Sequence, residues 1–275
     1  MLRDQAHCPF KGWAVHRAGL SETETPLSRF PTAAQRGSLF HYVVAEILAG
    51  ARTQAQLERL NEDTLLAADE SKTLPARFLR HERVRLMRWI NEWLTFQVQR
   101  REPFEVLEEE KEVELEIKRL KFRGYIDRID RTDSMERIII DHKTGPNYLT
   151  KNWDPELMSD PQMPMYATAV EACDGLAYLS IYRTSDGLKC RWQGIGTSTQ
   201  PEVSDGLDGS IGNFASLTEL KDAWRKRLTE IVTDHLDGKA DVEPVQDDVC
   251  RFCHLSNLCR VYEDPTLNYV GGDEE

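Results

Sequence analysis

The sequence predicts one mixed α/β domain over residues 1–275, with a central mixed sheet flanked by helices. Three observations favour this class: helical apolar spacing before residue 100, strand-like alternation over 113–140, and a helix followed by a hairpin over 159–196. This order of elements is typical of a single sheet with helices packed on it. The length and apolar content are sufficient for such a core, and no internal repeat is present.

Three helices are predicted first. After residues 31–37, apolar residues recur at helical spacing and define one buried face: Phe40, Val43, Val44, Ile47 and Leu48. A second helix is expected over about 54–69. Leu74-Pro75 begins a long third helix, whose buried side consists of Phe78, Leu79, Leu86, Trp89, Ile90 and Trp93.

The pattern then changes to that of strands. Val113, Leu115 and Ile117 alternate with charged residues, which is the period of a half-buried strand. A second strand follows over 122–127, and a turn is expected at 131–134. The apolar run 138–140 is typical of a buried central strand.

The remaining elements alternate between helix and strand. Ser159-Asp160-Pro161 predicts a helix start, with proline in the first turn, and the helix is expected to run to about Glu171. Strands near 176–183 and 188–196 are joined by a Ser-Asp-Gly sequence typical of a hairpin. A helix over about 215–237 precedes the cysteine-rich end.

The charge is uneven along the chain. A net charge of −12 argues weakly against a nucleic-acid partner, because phosphate binding uses lysine and arginine. Residues 74–101 nevertheless contain seven arginines and only two acids, whereas acid is concentrated over 102–116 and 201–248. Such segregation is compatible with one basic binding face or with an ordinary solvated helix face, and both remain open.

No feature of the sequence indicates a membrane or secretory protein. No apolar run is long enough to span a bilayer. The N-terminus is polar and lacks the apolar stretch of a secretory signal. We therefore expect a cytoplasmic protein with no membrane partner.

Charged residues at the ends of predicted strands are the candidate chemical centre. Asp127 ends the second strand, and Asp141 and Lys143 follow the central apolar run. Residues two apart in a strand project to the same side, so Asp141 and Lys143 are expected to lie together. Burying such charges is costly unless they serve a metal or each other.

These residue types fit phosphodiester hydrolysis. Oxygen ligands from Asp127 and Asp141 suit Mg²⁺, which retains sites for water and phosphate. A bound metal lowers the pKa of its water and offsets transition-state charge. Lys143 is then expected to orient or deprotonate that water, or to stabilise developing negative charge.

Four ordered motifs resemble those of RecB-like PD-(D/E)XK nucleases. They begin at Arg36, Gly124, Ile139 and Gln162, and read RGSLFH, GYIDRID, IIDHKTG and QMPMY. The resemblance implies a restriction-endonuclease-like core, metal ligation by His41, Asp127 and Asp141, and a catalytic role for Lys143. It further implies that Gln162 and Tyr166, which share a helical face, line the site as catalytic residues.

Predictions can also be made for three residues near the proposed ligands. His142 stands where tyrosine is commoner in the family, and its side chain is expected to point away from the metal. Asp130 is expected to be structural and to pair with an arginine. Glu46 is a weaker candidate to assist near His41.

Each site residue also has an ordinary structural explanation. His41 taken alone is more often a satisfied core histidine, and Asp141 with Lys143 could form a salt-bridged strand end. Gln162 could lie on the surface. The four motifs, in order and at compatible spacing, favour the nuclease interpretation over these alternatives.

The cysteines predict a second centre. Cys250, Cys253 and Cys259 form a C-x2-C-x5-C pattern, and Cys8 is the expected fourth ligand. Four thiolates can hold a [4Fe–4S] cluster or a structural zinc, and spacing alone does not choose. Cys173 and Cys190 are expected to be ordinary buried thiols.

The resemblance is closest to the C-terminal nuclease domain of AddB-like DNA-repair proteins, and it implies a [4Fe–4S] cluster. It implies an iron–sulfur clasp made by residues 1–30 and 240–262, a helical region plus nuclease core over 31–237, and an acidic tail over 263–275. The implied function is Mg²⁺- or Mn²⁺-dependent cleavage of DNA. Single-stranded ends are favoured as substrate and exonuclease over endonuclease action, with a helicase subunit or domain as partner.

Two other functions remain to be distinguished. One is a catalytically silent iron–sulfur module that binds DNA with a helicase partner. The other is a zinc-stabilised interaction protein. Cleavage assays with metal and chelator separate the first from a nuclease, and metal analysis identifies the second.

Overall fold

A computed structural model describes residues 1–20, 32–50, 56, 59, 75–99, 103–196, 214–251 and 253–263. The predicted α/β architecture is confirmed: a five-stranded mixed sheet has helices on both faces. The predicted helix over 54–69 lies outside the described residues, apart from Gln56 and Arg59, which are both helical. The acidic tail beyond residue 263 also lies outside them.

The sheet has the strand order β1-β2-β3-β4-β5. Its strands are β1 (Phe104–Ile117), β2 (Leu120–Thr132), β3 (Arg137–Thr144), β4 (Gly175–Thr184) and β5 (Gly187–Gly196). Neighbours are antiparallel except β3 and β4, which run parallel. The run Ile138–Ile140 is therefore the central strand, as predicted, and the Ser185–Gly187 sequence lies at the β4–β5 turn.

The helices are α1 (Leu2–His7), α2 (Pro9–His16), α3 (Ala33–Leu48), α4 (Ala76–Val98), α5 (Gln162–Ala169), α6 (Leu217–Asp237) and α7 (Ser256–Cys259). The helix that ends at Ala169 is shorter than predicted, because Val170 already has extended backbone angles. Strand β1 is longer than predicted, because it continues back through the glutamate-rich stretch to Phe104.

The two faces of the sheet bury separate apolar clusters. Ile138 and Ile140 pack with α3 and α4, whereas Ile139 packs with α5 and α6. Alternate residues of a strand point to opposite faces, so one apolar run supplies both cores. This arrangement fixes the end of β3 between α3 and α5.

A buried ion pair lies in β2. Arg128 donates from Nε to Asp130 Oδ1 at 2.5 Å and from Nη2 to Asp130 Oδ2 at 2.6 Å, and both side chains are buried. Gln97 of α4 accepts a further bond from Arg128. Asp130 therefore pairs with an arginine, as expected from the sequence.

The N-terminal helices contact the C-terminal segment. Phe10 N donates to Asp241 O, and Val245 N donates to His7 O, each at 2.9 Å. Arg17, which follows the last residue of α2, also donates from Nη2 to Leu236 O. Among the helices of the described ranges, none is long and apolar enough to cross a membrane.

Candidate active site

The end of β3 places two charges side by side. Lys143 Nζ lies 2.7 Å from Asp141 Oδ2, and the Asp141 side chain is only 2% exposed. The period-two argument from the sequence predicted this shared side. The isoleucines that precede Asp141 anchor the strand in both cores, so the charged pair is held at a fixed position.

Helix α5 completes a hydrogen-bond network around this pair. Gln162 Oε1 accepts from Lys143 Nζ at 2.7 Å, while Gln162 Nε2 donates to Asp141 Oδ1 at 2.9 Å. Nε2 also donates to the Tyr166 hydroxyl, which in turn donates to Tyr125 O at 2.7 Å. The structure thus brings Gln162 and Tyr166 to the same place as Asp141 and Lys143.

The network depends on a close approach of α5 to β2. A Cβ atom added at Gly124 would lie 2.6 Å from Tyr166 Cε1 and 2.9 Å from Met165 Cε. Both distances are shorter than real carbon contacts, so only glycine allows Tyr166 to reach the backbone of Tyr125. The sequence motif contained this glycine, but its steric reason appears only in the packing.

Asp127 receives several nitrogen contacts on one oxygen. The backbone N–H of His142 donates to Asp127 Oδ2 at 2.6 Å. His41 Nδ1 lies 3.3 Å and His142 Nδ1 lies 3.5 Å from the same oxygen. Helix α3 therefore brings His41 to Asp127. Helix α5 packs on the opposite face of the sheet.

The position of His142 differs from the expectation in one respect. Its backbone lies between Asp141 and Lys143, and its ring lies in a pocket against Trp93 and His41. The ring nevertheless contacts Asp127, which the sequence proposed as a metal ligand. Sequence periodicity alone gave no indication of this contact, because it depends on where β2 places Asp127.

Burial and pairing shift the pKa values of these groups in opposite directions. Burial raises the pKa of Asp141 to about 7, although Lys143 opposes the shift. Burial alone would also raise the pKa of Asp127, but hydrogen bonds from His142 and His41 hold it well below its ordinary value. Burial raises the pKa of the Tyr166 hydroxyl to about 12.

A cleft of about 800 Å³ opens beside these residues. One stripe of α3, including His41, Tyr42 and Glu46, forms one wall, and Lys143 and Glu110 lie on the opposite side. Glu46 lines the same cleft as His41, and its assistance to His41 stays a prediction.

Glu110 is a residue that sequence reasoning missed. The pairs Glu109–Arg128 and Lys111–Ile126 flank it, so Glu110 faces Asp127 across the β1–β2 ladder. Its backbone has a φ of 46°, a left-handed conformation unusual for a non-glycine residue. The sequence around Glu110 is uniformly rich in glutamate, so its position near Asp127 becomes apparent only from the pairing of β1 with β2.

The donor set suits a divalent cation. Two carboxylates and an imidazole lie close together: His41 Nδ1 is 3.3 Å from Asp127 Oδ2, and the buried Asp141 carboxylate is paired with Lys143 beside them. Carboxylate oxygens are the ligands that Mg²⁺ prefers, and an imidazole is a common ligand of divalent metals, so the chemistry of these donors fits such a cation. In the described ranges, no group of three or more His, Cys, Asp or Glu side chains is arranged so that it could hold a metal ion as it stands.

The four predicted cysteine ligands share one cavity. Cys8, Cys250, Cys253 and Cys259 all line it, between α2 and the C-terminal segment. The thiol donors suit iron or zinc. The cavity volume is about 20 Å³, which is close to the space of one water-sized probe.

The other two cysteines lie elsewhere. Burial raises the pKa of both Cys173 and Cys190 to about 12. Cys173 packs against the cluster on the α5 side, and Cys190 packs against the cluster on the α4 side. Neither lines the cavity of the four thiols.

Comparison with known proteins gives one family match. A family model described as the PD-(D/E)XK nuclease superfamily matches residues 2–260. No curated protein matches the chain. A crystal structure of SSO0001 is similar over 81% of this chain and 94% of its own, with 16% sequence identity and a TM-score of 0.32.

Proposed function

The chain belongs to the PD-(D/E)XK nuclease superfamily, and from this premise we propose that it is a metal-dependent deoxyribonuclease acting on single-stranded ends. The observation that carries the proposal is the connected network of Asp141, Lys143 and Gln162 beside Asp127 and His41. A structural salt bridge at a strand end would not require an imidazole and a second carboxylate at the same cleft.

Asp127, Asp141 and His41 are the proposed ligands of Mg²⁺ or Mn²⁺. When bound, the cation supplies a water of lowered pKa and offsets negative charge on the phosphate. The backbone N–H and the ring Nδ1 of His142 both contact Asp127 Oδ2 and hold it in place. Such support for a ligand carboxylate fixes its orientation before the cation and the substrate arrive.

Lys143 is the proposed source of positive charge at the scissile phosphate. Its Nζ is fixed between Asp141 Oδ2 and Gln162 Oε1 at 2.7 Å from each. The fixed ammonium can stabilise charge on a non-bridging phosphate oxygen without further ordering of the side chain. Gln162 and Tyr166 act as positioning groups, because they hold the carboxylate and the ammonium in one geometry.

Exposed aromatic rings beside the site support a single-stranded substrate. Tyr42 follows His41 and is 52% exposed, while Tyr125 lies two residues before Asp127 and is 55% exposed. Unpaired bases can stack on such rings, whereas bases inside a duplex are already stacked. We therefore propose that the enzyme acts as an exonuclease on the free ends of single-stranded DNA.

The four thiols are proposed to bind a [4Fe–4S] cluster that clasps the two ends of the domain. Backbone bonds between residues 7–10 and 241–245 already join these segments. The resemblance to AddB-like proteins suggests a cytoplasmic role in DNA repair or recombination with a helicase partner. The cluster in this proposal is structural and takes no part in hydrolysis.

The proposal is tested with purified protein and end-labelled DNA. Single-stranded and duplex substrates labelled at either end are incubated with Mg²⁺, with Mn²⁺ and with excess chelator. We expect metal-dependent shortening of the single strand from an end, and no cleavage of a circular single strand. Binding without cleavage under every metal condition would instead support the catalytically silent module.

A further inference from the structure

The basic segment noted in the sequence forms one wall of a second groove. Helix α4 carries five arginines, at positions 77, 80, 83, 85 and 88, against two glutamates. One side of α4 and the β4–β5 hairpin enclose a groove of about 640 Å³. Its lining differs entirely from that of the catalytic cleft, which lies on α3.

The two rims of this groove each present an exposed cation. Arg88 projects from α4 and Arg183 from the end of β4, and both are exposed. Neither forms an ion pair with a residue that the structure describes. Phosphates lying in the groove would therefore meet a positive charge on each side, with Glu92 as the one acid in its described lining.

The floor of the groove is rigid. The Arg85 guanidinium lies 5.3 Å from the centre of the Trp89 ring, and Arg85 Nε donates to Glu82 at 2.9 Å. Trp89 also packs edge-on against Phe40 of α3. Glu82 is buried and bound by Arg36 as well, so its charge is compensated and does not oppose the basic rims.

The proposed catalytic cleft carries more acidic than basic side chains. Glu46 and Glu110 line the cleft, and Lys143 is the one lysine or arginine among its described lining residues. Asp127 and Asp141 adjoin this lining through their contacts with His41 and Lys143. One divalent cation leaves this set without a positive excess. The cleft can thus cleave a phosphodiester but does not attract a long polyanion.

The β1–β2 hairpin does not supply that surface. On its strands, the exposed Lys121 contacts Glu114 and Glu116, and the exposed Arg123 contacts Glu112 and Glu114. Lys118 and Arg119 are exposed at its turn and line neither the cleft nor the α4 groove. The α4 groove, in contrast, combines a concave shape with two exposed arginines for which the described residues provide no ion pair.

From these observations we infer that the groove between α4 and the β4–β5 hairpin binds the phosphate backbone of single-stranded DNA at a distance from the scissile bond. The inference rests on the proposed nuclease function and adds an anchoring site to it. Arg88 and Arg183 contact phosphates, and the Trp89–Arg85 pair keeps the groove open. Short substrates do not reach it.

The test measures binding of a long fluorescent single strand by anisotropy, with Ca²⁺ in place of Mg²⁺ to prevent cleavage. Arg88→Glu combined with Arg183→Glu should weaken binding and lower the slope of log affinity against log salt by about 1.4, since each lost contact with a single strand contributes about 0.7. Arg88→Lys with Arg183→Lys keeps the charge and should retain the wild-type slope.

Two controls separate this inference from the proposed function. Lys226→Glu reverses an exposed charge on α6, on the other face of the sheet, and should leave the slope unchanged. Metal-dependent hydrolysis of a dinucleotide should be equal in the wild type and the double Glu variant, which also shows that the variant is folded.

Each result has a defined meaning. Wild-type cleavage of long DNA with the same salt slope in the double Glu variant as in Lys226→Glu would overturn the anchoring site and leave the nuclease intact. If the wild type neither binds nor cleaves DNA, both the function and the anchoring site fail.

Discussion

His142 Nδ1 lies 3.5 Å from Asp127 Oδ2, the same oxygen that accepts the His142 backbone N–H at 2.6 Å. One residue between Asp141 and Lys143 thus also fixes the carboxylate of the neighbouring strand. The ring is buried and packs against Trp93, so it cannot follow Asp127 if that side chain moves.

Replacement of His142 by phenylalanine should weaken cation binding. The phenyl ring fills the pocket but removes the Nδ1 contact, and loss of such a supporting contact typically costs about 10–100-fold in metal affinity. Mn²⁺ affinity, measured by electron paramagnetic resonance without DNA, tests this directly. His142→Asn, whose amide can replace Nδ1, should recover part of the affinity, and equal Mn²⁺ affinity in all three proteins would contradict the role.

Replacement of Gly124 by alanine should disturb the α5 network. The new methyl group would lie 2.6 Å from Tyr166 Cε1, so the ring must move away from Tyr125 O. Overpacking of this kind costs about 1–3 kcal/mol of the free energy of unfolding, which urea titration measures.

Tyr166→Phe is the matched control for Gly124→Ala. It removes the hydroxyl while leaving the ring in place, so it should lower activity with a smaller loss of stability. If Gly124→Ala is as stable and active as the wild type, the close approach of β2 and α5 is not required.

The buried pair of Arg128 and Asp130 yields a stability prediction. Asp130→Asn leaves the arginine charge buried without its carboxylate, which should lower the free energy of unfolding by about 3–5 kcal/mol. The double variant Arg128→Met, Asp130→Leu removes both charges and should lose less. Urea unfolding of the three proteins checks the order, and a double variant less stable than Asp130→Asn would contradict it.

The thiol cavity yields a prediction about metal content. Wild-type protein purified without oxygen should be brown and contain iron, and Cys8→Ser or Cys253→Ser should lose both colour and resistance to proteolysis. Cys190→Ser lies outside the cavity and should change neither. Zinc in place of iron in the wild type would exclude the proposed cluster.

The sequence predicted the parts of the site that depend on local periodicity. The apolar run before Asp141 located the central strand, and strand alternation placed Lys143 beside Asp141. The spacing of Gln162 and Tyr166 likewise placed them on one face of a helix. These relationships follow from backbone geometry within single elements.

The remaining contacts depend on how distant elements pack, which periodicity does not determine. Glu110 faces Asp127 because of the β1–β2 register, and His142 reaches Asp127 because the β2–β3 register sets Arg128 opposite Ile140. The α4 groove needs the β4–β5 hairpin as its second wall. In each case the partners are separated along the chain, so pattern alone could not pair them.

The most direct test of the proposed nuclease centre is the rate of metal-dependent cleavage of end-labelled single-stranded DNA by Asp141→Asn and Lys143→Ala. Both should cleave about 10²-fold or more slowly than the wild type while unfolding at similar urea concentrations. Asp222→Asn, an exposed change on α6, should cleave at the wild-type rate. Wild-type rates in folded Asp141→Asn or Lys143→Ala would contradict a hydrolytic centre at the end of β3.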